Sequence, residues 1–313
     1  MVRNFVKEVV RGVFARLEPL ALPRATDPKY PPLFIVGPPR AGTTLLYLLV
    51  THRFRVSYIS NLLAMTPRSP VLLARLAKPF RPLDGPESFF SHYGETRGWR
   101  GPNQGYRIWN EWLPTDIDYI APGNIPLDVR RRLRQIVAGI EAINDGPFVN
   151  KWQRNAARID ALHDLFPEAL FLRVTRNHEQ VAQSLLKGRV ELNGDPGCWF
   201  SVRPLDIPDS GSLSPIEQVC YQAVGMDRQI AKDLARLGTD RSHTVNYEDL
   251  CADTAGELAK LADWYAERTG HRLRVDNVTL PTLIASTNTK VGEREAAEIA
   301  ALCARIEAGE VAV

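Results

Sequence analysis

Apolar residues in this chain fall into short unbroken runs separated by longer stretches of helical spacing. Leu33-Phe34-Ile35-Val36 follows two prolines and stops at Gly37-Pro38-Pro39. That pattern predicts a strand buried on both faces and closed by a turn. Thr43 to Val50 is apolar and of helical length, so this part reads strand, glycine-containing loop, helix. Val56-Ser57-Tyr58-Ile59 predicts a further strand, and Pro147-Phe148-Val149-Asn150 another. Ala169 to Val174 is the clearest strand, leading through Thr175-Arg176-Asn177-His178 into a helix predicted over 179–186. His243-Thr244-Val245-Asn246 reads as one more strand. Helices are predicted over 129–144, 156–165 and 215–237, and the remainder after 246 is largely helical. Two stretches, 79–128 and 188–214, are rich in Gly and Pro and keep no period. The first is an insertion with one helix near 105–113, and the second is irregular.

Strands alternating with helices predict an α/β fold in which a parallel sheet is flanked by helices on both faces. Ligands of such sheets bind beyond the carboxyl ends of the strands. No stretch reads as a linker, so residues 1–313 are expected to form a single domain. At the N-terminus, Val2, Phe5, Val9, Val13 and Leu17 recur at helical spacing among Arg3, Lys7, Arg11 and Arg16. This predicts an amphipathic helix over 1–20 that packs on its own domain, with weak contact to a membrane surface as the other expectation.

Composition narrows the classes. Of 313 residues, 44% are apolar and 24% charged, which is ordinary for a folded domain. The net charge of +3 is too small to attract a polyanion globally, so any anion must be held by a local cluster. No nucleic-acid motif is present. Cys198, Cys220, Cys251 and Cys303 form no CxxC and no metal-ligand spacing. They read as reduced thiols of a cytoplasmic protein, with no metal. No window approaches the ~20 apolar residues of a membrane span.

The first loop, Gly37-Pro38-Pro39-Arg40-Ala41-Gly42-Thr43-Thr44, carries the candidate chemistry. A helix beginning there aims unpaired backbone N–H groups at the loop, and its dipole favours negative charge. Gly42 admits a ligand close to the backbone, Thr43 and Thr44 supply hydroxyls, and Arg40 supplies a fixed charge with a planar donor fork. The glycine spacing is that of the GxxxxGK[ST] nucleotide loop, making this a P-loop-type sheet. Thr43, however, stands where that loop has lysine, and the cation sits at Arg40 instead.

The stretch Ile35 to Leu46 resembles the 5′-phosphosulfate loop of sulfotransferases that use 3′-phosphoadenosine 5′-phosphosulfate (PAPS). Many members have Pro-Arg-Ser-Gly-Thr-Thr there, and this chain departs by Ala41. A second signature of that family is an arginine ending a strand with a serine eight positions later, here Arg176 and Ser184. The resemblance implies that these two hold the 3′-phosphate. Phe148-Val149-Asn150-Lys151 is similar to the Asn-Lys strand end of tyrosylprotein sulfotransferases and their bacterial relatives, which implies Lys151 beside the bridging oxygen of PAPS. The chain as a whole resembles the bacterial-type members of the tyrosylprotein and carbohydrate branch. Tyr247-Glu248-Asp249-Leu250 also resembles the family and is read as a helix cap. Lys290, in Ser286 to Gly292, is either the C-terminal part of the 3′-phosphate site or a surface lysine.

The resemblance implies sulfuryl transfer to an acceptor hydroxyl of a carbohydrate, glycolipid or other small molecule, with Arg40, Ala41, Gly42, Thr43, Thr44, Arg176, Ser184 and Lys290 binding the donor. The histidine and glutamate bases known in the family have no counterpart at the matching positions. The base is expected in the insertion, with His92 chosen over Glu95, Glu111, Asp116 and Asp118 because an imidazole titrates near neutral pH. Phe89, Phe90, Tyr93, Trp99, Tyr106, Trp109 and Trp112, with Asn103, Gln104, Arg107 and Asn110, form either a small core or an acceptor pocket. A P-loop small-molecule kinase and a non-catalytic nucleotide-binding protein are the alternatives.

Overall fold

The computed structural model describes residues 2–80, 88–89, 91–92, 94–208, 211–276 and 278–311, with backbone alone for 2–7 and 80. The helices are α1 (Val2–Ala21), α2 (Thr43–Arg53), α3 (Pro70–Ala77), α4 (Tyr106–Trp109), α5 (Leu127–Asn144), α6 (Ile159–Leu165), α7 (His178–Asn193), α8 (Pro215–Leu237), α9 (Tyr247–Ala252), α10 (Thr254–Thr269) and α11 (Glu293–Glu307). The strands are β1 (Leu33–Val36), β2 (Ser91–His92), β3 (Glu95–Thr96), β4 (Val149–Asn150), β5 (Leu170–Thr175) and β6 (Ser242–Asn246).

Four strands form one parallel sheet in the order β4-β1-β5-β6. Side chains alternate across a strand, so each apolar run feeds two cores. Phe34 and Phe171 face a cluster with Ile136, Ile140 and Leu165, while Leu33, Ile35 and Leu172 face one with Leu46, Leu185 and Leu261. Helices therefore cover both faces, as the unbroken apolar runs require. Strands β2 and β3 pair antiparallel as a small hairpin inside the insertion.

Three expected elements differ, the first being the helix expected near 105–113, which is the short α4 (Tyr106–Trp109). The segment around Val56-Ile59 is not a strand; it touches β4's approach through a single bridge between Ser57 and Phe148. Ser57 spends its hydroxyl on the Gly146 carbonyl (2.8 Å), and the next bridge, at Ser60, turns away to Pro102. Helix α7 runs past Gly188 to Asn193, beyond the expected end at 186. Its last turns are held by Arg189, whose buried guanidinium donates to Gln218 (2.7 Å) and Gln222 (3.2 Å) on α8.

Candidate functional site

Because β1, β4, β5 and β6 are parallel and in register, the residues that follow each strand emerge at one edge of the sheet. These are Gly37 after β1, Lys151 after β4, Arg176 after β5 and Tyr247 after β6. A cleft of about 850 Å³ opens over that edge. Its lining contains Arg40, Gly42, Thr43, Thr44, His92, Lys151, Arg176, Ser184 and Lys290. Every expected donor-site and catalytic residue thus borders one space except Ala41. Ala41 is buried, and its N–H donates to the Pro38 carbonyl (3.1 Å), so the outward backbone donors begin after it.

The first loop is built under strain. Arg40 adopts φ 71°, a left-handed conformation rare for a side chain with a Cβ. Such conformations persist where the surrounding structure imposes them. Arg176 Nη1 donates to the Arg40 carbonyl (3.1 Å), and Arg40 Nε donates to Ser184 Oγ (3.0 Å). The two turns expected to grip opposite ends of one ligand therefore also grip each other. Gly42 sits at φ 102°, and a Cβ there would lie 2.5 Å from the Tyr247 ring. Only glycine meets both demands. Helices α7, α8, α9 and α10 close their first turns with the side chains of Asn177, Ser214, Asn246 and Asp253. Helix α2 has no side-chain cap, and its first residues, Thr43, Thr44 and Leu45, line the cleft.

Around this loop the cations converge. Arg176 stacks over Tyr247 at 4.0 Å and donates through Nη2 to the Ser286 carbonyl (2.6 Å), while its buried Nε has no partner. The Tyr247 hydroxyl accepts from Ser286 N–H (3.3 Å). Lys290 donates from its backbone to Gln183 (3.0 Å) and from Nζ to Gln180 (2.6 Å), which fixes the 286–290 segment on α7. Lys151 is buried, with its ammonium 3.3 Å from Gln104 Oε1. Among the described residues no carboxylate pairs with Lys151, Arg176 or Lys290. Burial, and then the charge of Arg40, push Lys151 down to about 7. Burial, followed by Arg176, Arg40 and Lys187, lowers Lys290 to about 8. Three cations that no described carboxylate pairs with make this edge a candidate anion site.

The insertion contributes the β2–β3 hairpin. His92, exposed on β2, borders the cleft, and its cross-strand partner Glu95 borders a recess of about 260 Å³. The two spaces share Gly94 and Gln104. Glu111 is paired with Arg68 (2.6 Å) and Asp118 with Arg154 (3.3 Å), and neither they nor Asp116 border either space. Three of the seven aromatic residues are core. Trp109 is buried and stacked on Trp152, Trp112 packs on the same cluster, and Phe89 packs on His52. Trp99 is exposed, and Tyr106 lines the recess with Arg107. Phe90 and Tyr93 lie outside the described residues. Asn103 is spent on Asn61 and on Gly105 N–H.

Sequence reasoning missed the place of Tyr247 and Gln153 in the cleft, and had Gln104 only among the possible acceptor-pocket residues. The cap of α9 is Asn246, which accepts from Glu248 and Asp249 N–H, leaving Tyr247 for the cleft. Gln153 donates to the Gly37 carbonyl (3.1 Å) and its N–H to Gln104 (3.2 Å). These amides tie loop, strand end and insertion together, a long-range arrangement with no local signal.

The fold has counterparts among known proteins. The model of the sulfotransferase family matches residues 31–268. The chain is similar to the sulfotransferase STF1 from Mycobacterium tuberculosis H37Rv, at 17% identity and TM-score 0.50, over 76% of this chain and 67% of that one. It is also similar to the sulfotransferase STF9 from Mycobacterium avium, at 14% identity and TM-score 0.52, over 81% of this chain and 67% of that one. At such identities the likeness is one of fold. No curated protein matches by sequence.

Proposed function

This chain belongs to the sulfotransferase family, and from that premise we propose that it transfers a sulfuryl group from PAPS to the hydroxyl of a carbohydrate, glycolipid or other small molecule. The observation that carries the donor assignment is the meeting of Arg40, Ser184 and Arg176 across two strand ends, with Lys290 beside them. A nucleotide with phosphates at both the 3′ and 5′ positions needs cationic groups at two places on one cleft. Ser184, Arg176 and Lys290 supply one, and the α2 N-terminus with Arg40, Thr43 and Thr44 supplies the other. The unpartnered Nε of Arg176 fits such an anion.

In-line transfer asks the protein mainly to position the partners and to neutralise the leaving group. PAPS supplies a sulfuryl group whose departure leaves growing negative charge on the 5′-phosphate. Lys151, once protonated, donates to the bridging oxygen, and the α2 N–H groups with Arg40 hold the phosphate oxygens. Gln104 and Gln153 keep the Lys151 ammonium aimed at that point. His92 takes the proton from the acceptor hydroxyl, since its ring borders the cleft. A second reading gives that task to Glu95, whose carboxylate lines the recess joined to the cleft beside Gln104. The recess, with Tyr106 and Arg107, suits a hydroxylated acceptor. The cysteines are free thiols, which supports a reducing, cytoplasmic setting. Among the described residues no helix is long and apolar enough to cross a membrane.

Titration with 3′-phosphoadenosine 5′-phosphate against ATP with Mg²⁺ tests the donor. Tighter binding of ATP would remove the proposal in favour of a kinase, and binding without transfer to any acceptor of a broad panel would favour a nucleotide-binding protein. For the base, His92→Gln and Glu95→Gln are compared on an alkyl alcohol and on p-nitrophenol, which ionises near neutral pH and needs no base. The true base is the one whose loss abolishes only the alcohol reaction.

A further inference from the structure

Helix α1 presents one apolar arc to solvent. Val9, Val10, Val13, Leu17 and Leu20 are 48%, 44%, 48%, 42% and 83% exposed. At 3.6 residues per turn these five fall within about 100° of one another. Single exposed apolar residues are common, whereas a continuous stripe of five along one helix marks an interaction surface. The stripe is held in place from behind. Glu18, buried on the opposite side of the helix, accepts the N–H groups of Val71 (3.1 Å) and Leu72 (2.8 Å) at the start of α3, and Arg11 Nε donates to the Met65 carbonyl (3.0 Å).

The charge beside the stripe selects its occupant. Arg16, one turn from Val13 and Leu20, is exposed, as is Arg24 just beyond the helix. Glu8 is paired with Arg11 and Glu18 is buried. No Asp or Glu occurs between Asp27 and Asp84, so α3, which packs on α1, carries cations only. A second copy meeting this stripe about a two-fold axis would oppose Arg16 to Arg16 and add like charges with no acidic partner. An anionic bilayer meets both features: acyl chains cover the valines and leucines, and headgroups cover the arginines.

We propose that the Val9–Leu20 stripe of α1, with Arg16 beside it and Arg24 just beyond its end, is a docking surface for an anionic lipid bilayer. The helix lies in the plane of the interface, and its Glu18 side keeps the rest of the protein on the water side. This surface stands apart from the donor cleft and does not depend on the chemistry assigned there.

Co-sedimentation with phosphatidylcholine vesicles, with and without phosphatidylglycerol, tests the proposal on the full chain. The protein should sediment with the anionic vesicles at low salt and be released as salt rises. Arg16→Glu, which reverses one charge, should lower partitioning about tenfold. Leu17→Ser with Leu20→Ser should lower it at least about tenfold. Both variants alter solvent-facing positions, so unchanged thermal unfolding and unchanged affinity for 3′-phosphoadenosine 5′-phosphate confirm that they are folded. The proposal is overturned if the wild type stays in the supernatant with anionic vesicles, or if binding ignores these variants. It is also overturned if the protein binds neutral and anionic vesicles alike, or if the stripe mediates reversible self-association that the leucine variant abolishes.

Discussion

Donor binding should draw protons from solvent, and the amount follows from the cleft. Lys151 is buried, has among the described residues one hydrogen-bond partner, an amide oxygen, and is pushed down to about 7 by burial and by Arg40. A 5′-phosphate placed against it replaces the missing counter-ion and returns the ammonium toward its ordinary range near 10. The sign is then fixed. The free-protein pKa is the lower one, so binding takes up a proton and affinity falls as pH rises above 7. At pH 8 only about a tenth of the free protein carries the proton, whereas nearly all of the complex does, an uptake of about 0.9 proton. Affinity should fall about tenfold per pH unit between 8 and 9.5, from this one group. Lys290, lowered to about 8, adds uptake of the same sign, about half a proton at pH 8 and more above it. The phosphates of the ligand, with second pKa values near 6, are already ionised there and contribute none. Calorimetry of 3′-phosphoadenosine 5′-phosphate binding at pH 8, in two non-phosphate buffers of different ionisation enthalpy, reads the uptake directly. Lys151→Met should reduce it to what Lys290 contributes. If the wild type takes up no proton, or Lys151→Met leaves the uptake unchanged, the lysine is not the group that meets the phosphate.

Other perturbations separate the parts of the site. Arg40→Gly should abolish transfer while leaving the protein as stable or about 1 kcal/mol more stable by thermal unfolding, because glycine relieves the left-handed backbone as it removes the charge. Arg176→Lys should weaken donor binding at least about tenfold, since an ammonium cannot serve the Arg40 carbonyl, the Ser286 carbonyl and a phosphate together. His178, raised by hydrogen bonds to Asp227 and Glu307 that outweigh its burial, contributes stability fully present below its ordinary pKa and lost as pH rises through the folded value. His178→Gln should therefore flatten the difference in melting temperature between pH 5.5 and 8, and a wild-type protein with no such difference would contradict the assignment.

What the sequence determined by itself was local. The run Leu33–Val36, its closing prolines and the helix from Thr43 are specified within about twenty residues, and periodicity reads them directly. The same holds for β5, the start of α7, and α8, where Ser214, Pro215 and Glu217 spell a helix start. Arg40, Arg176 and Ser184 were legible because each stands at a fixed distance from such an element. The tertiary structure alone decided what meets at the sheet edge. Lys290 could equally have been a solvated lysine, and only its bonds to Gln180 and Gln183, more than a hundred residues away in sequence, put it in the cleft. Tyr247 was hidden because its neighbour Asn246 had taken the capping role. His92 and Glu95, cross-strand partners of one hairpin, border adjoining spaces that share Gly94 and Gln104, and only the placement of the hairpin over the sheet edge decided that. Parallel strands must be joined by long crossovers, so residues that share a ligand here are far apart along the chain, and no local pattern records their meeting.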